Sequence, residues 1–226
     1  MNPARFKSMW TLPNILTMIR LIAAPMVAVM FLSVIRPYAD WAALILFVGA
    51  ALTDWLDGFL ARAWKQESKL GAMLDPIADK AMVVIALVVL ASVFGLDALI
   101  LLPAALIVFR EVFVSGLREF LGEVSGTLQV TKMAKWKTTA QMVAIALLFA
   151  VGIFEHYFVM GTEGMNRQII ADILASDASD PARLRFFYNG MYSTWYSGIA
   201  FLWAAAALTV ITGVDYFRKA LPHLRD

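Results

Sequence analysis

The chain contains no cysteine, which excludes a disulfide framework and any thiolate chemistry. Histidine is nearly absent as well. His156 and His223 stand far apart with no ligand-like neighbours, so they read as interfacial residues rather than metal ligands. Charge is scarce: 16% of the 226 residues are Asp, Glu, Lys or Arg, against about 25% in a soluble domain. The formal net charge of +2 is too small to recruit nucleic acid, and no internal repeat or low-complexity tract is present. What fills the space is hydrocarbon. Hydrophobic residues make up 61% of the chain and the mean hydropathy is +0.73, the composition of an integral membrane protein.

About 20 apolar residues cross a bilayer as a helix. Six stretches meet that length, at roughly 12–36, 41–62, 70–94, 99–118, 138–160 and 193–215. None alternates as a membrane β-strand does, so the expected fold is an all-α membrane protein of six transmembrane helices, one membrane domain over 1–226. The run that follows Arg5 and Lys7 is too long for a signal-peptide core and reads as a retained first span. Basic residues set the orientation. With the N-terminus inside, the inner loops receive Arg5, Lys7, Arg62, Lys65, Lys69, Lys132, Lys135, Lys137, Arg218, Lys219 and Arg225. The outer side receives only Arg36, Arg167, Arg183 and Arg185. Both termini are therefore expected in the cytoplasm. Residues 161–192, polar and holding Gly, Asn, Ser and Pro, are expected as an external loop with a short surface helix near 166–175.

One stretch works against the apolar background. TDWLDGFLARAWKQESKLGAMLDPIADK, residues 53–80, places Asp54, Asp57, Asp75 and Asp79 between two spans. On a helix Asp54, Asp57, Gly58 and Ala61 share one face, and Gly71, Asp75 and Asp79 form a stripe on the next. Each carboxylate at mid-membrane costs about 2.5–3.5 kcal/mol on insertion scales, and like charges held close oppose one another's ionisation. Salt bridges to Arg62, Lys65, Lys69 or Lys80 would satisfy one or two of them. A divalent cation answers all four, because Mg²⁺ takes hard carboxylate oxygens and leaves sites for water and phosphate. Four such acids would also suit a cation-coupled transporter. That class favours paired halves with broken helices at mid-membrane, whereas these acids lie toward one interface and have no second copy.

The pattern Asp54-x-x-Asp57-Gly58-x-x-Ala61-Arg62-x₈-Gly71-x-x-x-Asp75-x-x-x-Asp79 resembles the CDP-alcohol phosphotransferase motif at every defined position, eight residues across 26. The resemblance implies an enzyme that moves a phosphate-linked group from a CDP-activated donor to an alcohol and releases CMP. It implies one or two divalent ions, Mg²⁺ or Mn²⁺, on Asp54, Asp57, Asp75 and Asp79, with Asp79 as the base that deprotonates the acceptor. Gly58, Ala61, Arg62 and Gly71 would line the CDP site. Arg62 offers a bidentate fork to phosphate oxygens. Asn14 and Thr17, on one face of the first span, stand beside the nucleotide or bond to a neighbouring helix.

The region FREVFVSGLREFLGEVSGTLQVTKMAKWKTTAQM is similar to the phosphatidylglycerophosphate synthase branch of that family. The matching residues are Arg110, Glu111, Ser115, Leu117 and Arg118, then Lys135, Lys137, Thr138 and Gln141. Leu12 to Thr17, with Arg20, belongs to the same likeness. Ala134 departs from it, standing where a Gly usually precedes the first Lys, and the 161–192 loop is longer than the branch leads one to expect. The likeness implies CDP-diacylglycerol as donor and glycerol 3-phosphate as acceptor, with inositol phosphate, serine or phosphatidylglycerol as alternative acceptors. Arg110, Arg118, Lys135, Lys137 and Ser115 would hold the acceptor phosphate. Glu111, seven residues before Arg118, would pair with it instead of leaving it free, and the lysines would otherwise serve as positive-inside decoration meeting anionic lipid. A homodimer in the bacterial inner membrane, with its active site toward the cytoplasm, completes the expectation.

Overall fold

The computed structural model describes residues 11–63, 68–122, 132–175 and 179–224. The side chains of Trp55, Asp57, residues 59–62, Lys132, Ala134 and Lys135 lie outside that description. The described residues form helices and turns with no strand. In order they are α1 (Leu12–Ser33), α2 (Tyr38–Ala63), α3 (Lys69–Val93), α4 (Ala98–Leu121), α5 (Lys132–Gly161), α6 (Arg167–Ala175) and α7 (Leu184–Ala220). A 3₁₀ turn, Leu221–His223, follows α7.

Five helices are long and apolar enough to cross a membrane: α1, α3, α4, α5 from Trp136, and α7. The chain is a multi-pass membrane protein. The segment expected as the second span is the 26-residue helix α2, which carries Asp40, Asp54, Asp57 and Arg62 along its length and is not among those five.

Local chemistry sets the helix ends. Pro13 stands in the first turn of α1, where its missing N–H costs nothing. Asp97 caps α4 by accepting the Leu99 N–H at 2.8 Å. Gly122 ends α4 with φ +52°, a conformation open to glycine. Asn166 caps α6 by accepting the Ile169 N–H at 2.8 Å, so the short helix expected near 166–175 is present.

Two helix starts differ most from expectation. α5 starts at Lys132 rather than 138, because Lys, Met and Trp are acceptable helix formers although they are not all apolar. α7 starts at Leu184 rather than 193, so the last nine residues of the expected external loop are helical. Asp180 explains the early start: its Oδ1 accepts the Leu184 N–H at 2.7 Å and its Oδ2 the Arg185 N–H at 3.0 Å. Packing holds the extension. The rings of Phe186, Phe187 and Tyr188 lie 5.9, 5.4 and 5.6 Å from those of Phe154, Tyr157 and Phe158 on α5.

The chain divides into two compact units at Val89–Leu90, inside α3. In the first, α1 packs on α2 and buries a stripe of Asn14, Thr17, Arg20, Ala24 and Val27. In the second, α7 packs on α5 and α4. Its partners on α5 run antiparallel, with Gly190 against Phe154 and Gly198 against Leu148. Its partners on α4 run parallel, with Trp203 Nε1 donating to the Leu99 carbonyl and Gly213 against Arg110.

Candidate active site

The polar stripe of α1 organises the first unit's site. Asn14, Thr17 and Arg20 recur every three residues and are 2%, 1% and 2% exposed, so in a bilayer their polar atoms must find protein partners. Two of the three find the acids. Arg20 Nη1 donates to Asp54 Oδ1 on α2 and to Asp79 Oδ1 on α3, both at 2.5 Å. Thr17 Oγ1 donates to Asp75 Oδ1 at 2.7 Å. One turn nearer the helix start, Ser68 Oγ donates to Asn14 Oδ1 at 2.8 Å and accepts the Gly71 N–H at 3.0 Å.

Gly71 permits this approach. A Cβ there would stand 2.8 Å from Asn14 Oδ1 and 3.3 Å from Ser68 Oγ, closer than side-chain atoms pack. The glycine thus serves the α1–α3 contact, and Asn14 and Thr17 bond between helices. Those two, set out from sequence as nucleotide neighbours or interhelical bonders, make such interhelical bonds.

The structure therefore brings Asp54, Asp75 and Asp79 under one helix face. Arg20, which was not among the partners weighed from sequence, ties two of them; of those partners, Lys65 and the Arg62 side chain lie outside the described residues. Gly58 lies one turn beyond Asp54 on α2. Asp57, Ala61 and Arg62 belong to the same helix, with side chains outside the described residues. Among the described residues no three acids already close into an ion-holding group. The donor set nevertheless suits one: Asp54 and Asp79 are each about half exposed. The named bonds also use only Oδ1 of each of the three acids. Among the described residues, the second hard oxygen of these three acids stays available to a divalent cation, the ligand type such ions prefer.

The second unit holds a separate charged cluster. Glu111 Oε1 accepts from Arg110 Nη1 at 3.0 Å and from Lys137 Nζ at 2.5 Å. All three side chains are largely buried, at 14%, 12% and 8% exposure for Arg110, Glu111 and Lys137. Glu111 thus pairs across to α5, and not with Arg118 as the seven-residue spacing offered. Arg118 instead lies over the Tyr216 ring, 5.2 Å from its centroid, a cation–π contact. Gly213 makes room for Arg110, since a Cβ there would meet its Cγ at 3.0 Å. Arg110, Arg118 and Lys137 against Glu111 leave two net positive charges, the complement of a phosphate dianion. Ser115 turns its hydroxyl to the Glu111 carbonyl, one turn back on its own helix. The Lys135 side chain lies outside the described residues.

Sequence reasoning left α7 out of this cluster. The signal was present: Thr209, Thr212, Gly213 and Tyr216 are buried and recur at helical spacing inside an apolar span. Polar residues at that spacing mark an interior face.

Comparison with known proteins bears directly on this arrangement. The sequence profile of the CDP-alcohol phosphatidyltransferases matches residues 10–211, which spans both units and all four acids. The chain belongs to the CDP-alcohol phosphatidyltransferase family. Among curated members, it is 59% identical over 218 residues to the CDP-diacylglycerol–glycerol-3-phosphate 3-phosphatidyltransferase of Cereibacter sphaeroides, covering 96% of this chain and 98% of that one. It is 40% identical over 151 residues to the enzyme of the same name from Escherichia coli K12, covering 66% of this chain and 82% of that one. Within this CDP-alcohol phosphatidyltransferase, Gly213, Tyr216 and the last turns of α7 lie past the matched segment, while Arg20, Glu111 and Thr209 fall inside it.

Proposed function

We propose that this protein transfers the phosphatidyl group from CDP-diacylglycerol to glycerol 3-phosphate, yielding phosphatidylglycerophosphate and CMP. The observation that carries this reading is the acid set Asp54, Asp75 and Asp79. Each accepts a hydrogen bond from α1 at its Oδ1, with Oδ2 unbonded among the described residues, in a chain 59% identical to a transferase of that name.

Catalysis in this family is metal-dependent. Asp54, Asp57, Asp75 and Asp79 would hold the cation, Mg²⁺ or Mn²⁺ and in our reading two of them. Bound there, it would supply the positive charge that neutralises the donor diphosphate and stabilises the leaving oxygen. The chain's own residues do the rest. Gly58 and Ala61 give the cytidine diphosphate room on the α2 face, and the Arg62 fork takes its phosphate oxygens. Arg110, Arg118, Lys137 and Lys135 attract the acceptor phosphate, with Glu111 fixing Arg110 and Lys137 in place. The acceptor hydroxyl attacks the phosphorus that carries diacylglycerol, and the bond from that phosphorus to the CMP oxygen breaks. Asp79 takes the hydroxyl proton on Oδ2, since its Oδ1 is committed to Arg20; to act as base it is the least tightly coordinated of the four acids.

In the same reading α2 is a sixth span and both termini are cytoplasmic. The excess of Lys and Arg in the expected inner loops supports that orientation. It turns the acids toward the cytoplasm across the inner membrane, and the protein functions as a homodimer.

The test is CMP release from purified protein supplied with CDP-diacylglycerol, Mg²⁺ and one acceptor at a time: glycerol 3-phosphate, inositol phosphate, serine or phosphatidylglycerol. Glycerol 3-phosphate alone should support turnover, and Asp57→Asn and Asp75→Asn should abolish it while the protein still inserts. Near-normal activity in both variants would remove the metal assignment. Equal turnover with serine would remove the acceptor assignment.

A further inference from the structure

The interior of the second unit holds four polar atoms that no described group satisfies: Arg110 Nε and Tyr216 Oη at the Glu111 cluster and, next to it, Gln141 Nε2 and Thr209 Oγ1. Gln141 is 2% exposed and its Nε2 has no hydrogen-bond partner; Thr209 is fully buried and its Oγ1 has none. Buried donors are nearly always paired, and in a membrane interior no bulk water completes them. Both belong to the acceptor cluster by position. Gln141 lies one turn after Lys137 on the same face of α5, and Thr209 lies one turn before Gly213, which seats Arg110.

The helix register brings them toward each other. α5 and α7 are antiparallel, with Gly161 against Leu184, Phe154 against Gly190 and Leu148 against Gly198. Continued inward, that register sets Thr209 level with Lys137 and about one turn from Gln141. Helical side chains lean toward their own N-terminus. On antiparallel helices, Gln141 therefore leans toward the level of Thr209, and Thr209 toward that of Gln141. A donor amide and a hydroxyl thus converge beside the cations, with hydrogen bonds still to give.

We propose that Gln141 and Thr209 bind the non-reacting hydroxyl of the acceptor, and so select a phosphorylated polyol over a phosphorylated alcohol that carries only the reacting hydroxyl. Glycerol 3-phosphate offers one hydroxyl to the donor and keeps a second at C2. The cations recognise its phosphate, which any phosphorylated alcohol supplies. Discrimination has to come from groups that pair with the spare hydroxyl and are left unpaired by an analogue lacking it. This inference rests on the acceptor reading above and names the residues that make it selective.

The experiment compares glycerol 3-phosphate with 3-hydroxypropyl phosphate, which lacks only the C2 hydroxyl, as acceptors for the full chain in nanodiscs with CDP-diacylglycerol and Mg²⁺. Slow turnover of the analogue is replaced by its inhibition constant against glycerol 3-phosphate. Wild type should prefer glycerol 3-phosphate by about tenfold or more. Gln141→Met and Thr209→Val, near-isosteric and apolar, should cut that preference to about threefold or less by lowering only the glycerol 3-phosphate value. Thr209→Ser, which keeps the hydroxyl, should retain it. Equal losses for both acceptors would assign the two residues to packing and overturn the proposal, as would an unchanged ratio or a wild type without preference. Lys137→Met separates this proposal from the acceptor reading. It should raise KM for both phosphates; if it moves neither, the acceptor site itself is wrong, and if it moves both while Gln141→Met leaves the ratio intact, only the present proposal fails.

Discussion

Replacing Arg20 with methionine tests the centre of the first site. The guanidinium is 2% exposed and sits on two carboxylates that are 46% and 51% exposed. Removing one member of a fully buried ion pair costs about 3–5 kcal/mol. Here the orphaned acids reach solvent over half their surface, which screens their mutual repulsion, and a loss of about 2 kcal/mol follows. For a protein of this size that is on the order of 4–8 °C in melting temperature. The loss should depend on metal. A divalent cation held by Asp54 and Asp79, as proposed, would supply positive charge to the same two acids that Arg20 serves, and so would offset most of what the substitution removes. Thermal unfolding in detergent should therefore show the full deficit of Arg20→Met in EDTA and a markedly smaller one in millimolar Mg²⁺. In Mg²⁺, CMP release should fall at least tenfold, because Asp79 loses the contact that fixes its Oδ1. Equal deficits with and without Mg²⁺ would refute the idea that arginine and metal serve the same carboxylates.

Two further outcomes follow from the second unit. Glu111→Gln leaves Lys137 and Arg110 buried and facing each other without a counter-ion, a cost of about 3–5 kcal/mol. The double variant with Lys137→Met should be less destabilised than the two single losses combined, and additive unfolding energies would show the pair to be uncoupled. Asp180 gives a pH dependence. Burial pushes its carboxyl up, but hydrogen bonds from the Arg185 and Leu184 N–H groups and the Arg185 charge outweigh that and hold it below the ordinary value. A depressed folded value means the stabilisation is complete above the unfolded carboxylate range, near pH 4, and is lost as pH falls through the lower folded value. Asp180→Asn should lower the melting temperature at neutral pH and flatten its decline on acidification; an unchanged acid limb would refute the role.

The helices were legible in the sequence because hydropathy measures what a bilayer measures. α1, α3 and α4 begin and end within three residues of the apolar runs that foretold them. The runs failed at α5 and α7, where Lys132 to Lys137 and Phe186 to Tyr192 continue the helix in residues too polar or too interfacial to count. The acids were visible because their spacing is local, within one helix or across one short loop. Their tie was not. Arg20 is 34 residues from Asp54 and 59 from Asp79, and nothing in its neighbourhood distinguishes it from a cation at a span's inner end. Lys137 and Glu111, 26 residues apart, were hidden in the same way. Spacing rules favoured Arg118, which lies on Glu111's own helix, over a partner on the next.

α7 is 37 residues long, or about 55 Å of helix, against a hydrocarbon core of about 30 Å. Even a steep tilt of about 40° leaves more than 10 Å of it standing clear of the lipid. The rod therefore reaches the aqueous phase, where water-soluble reagents can read the protein without entering the bilayer. The absence of cysteine gives that reach a practical use. A single thiol placed on the exposed helix face at Phe186 would be the molecule's sole thiol, and a membrane-impermeant maleimide added to intact cells would report which compartment the rod enters.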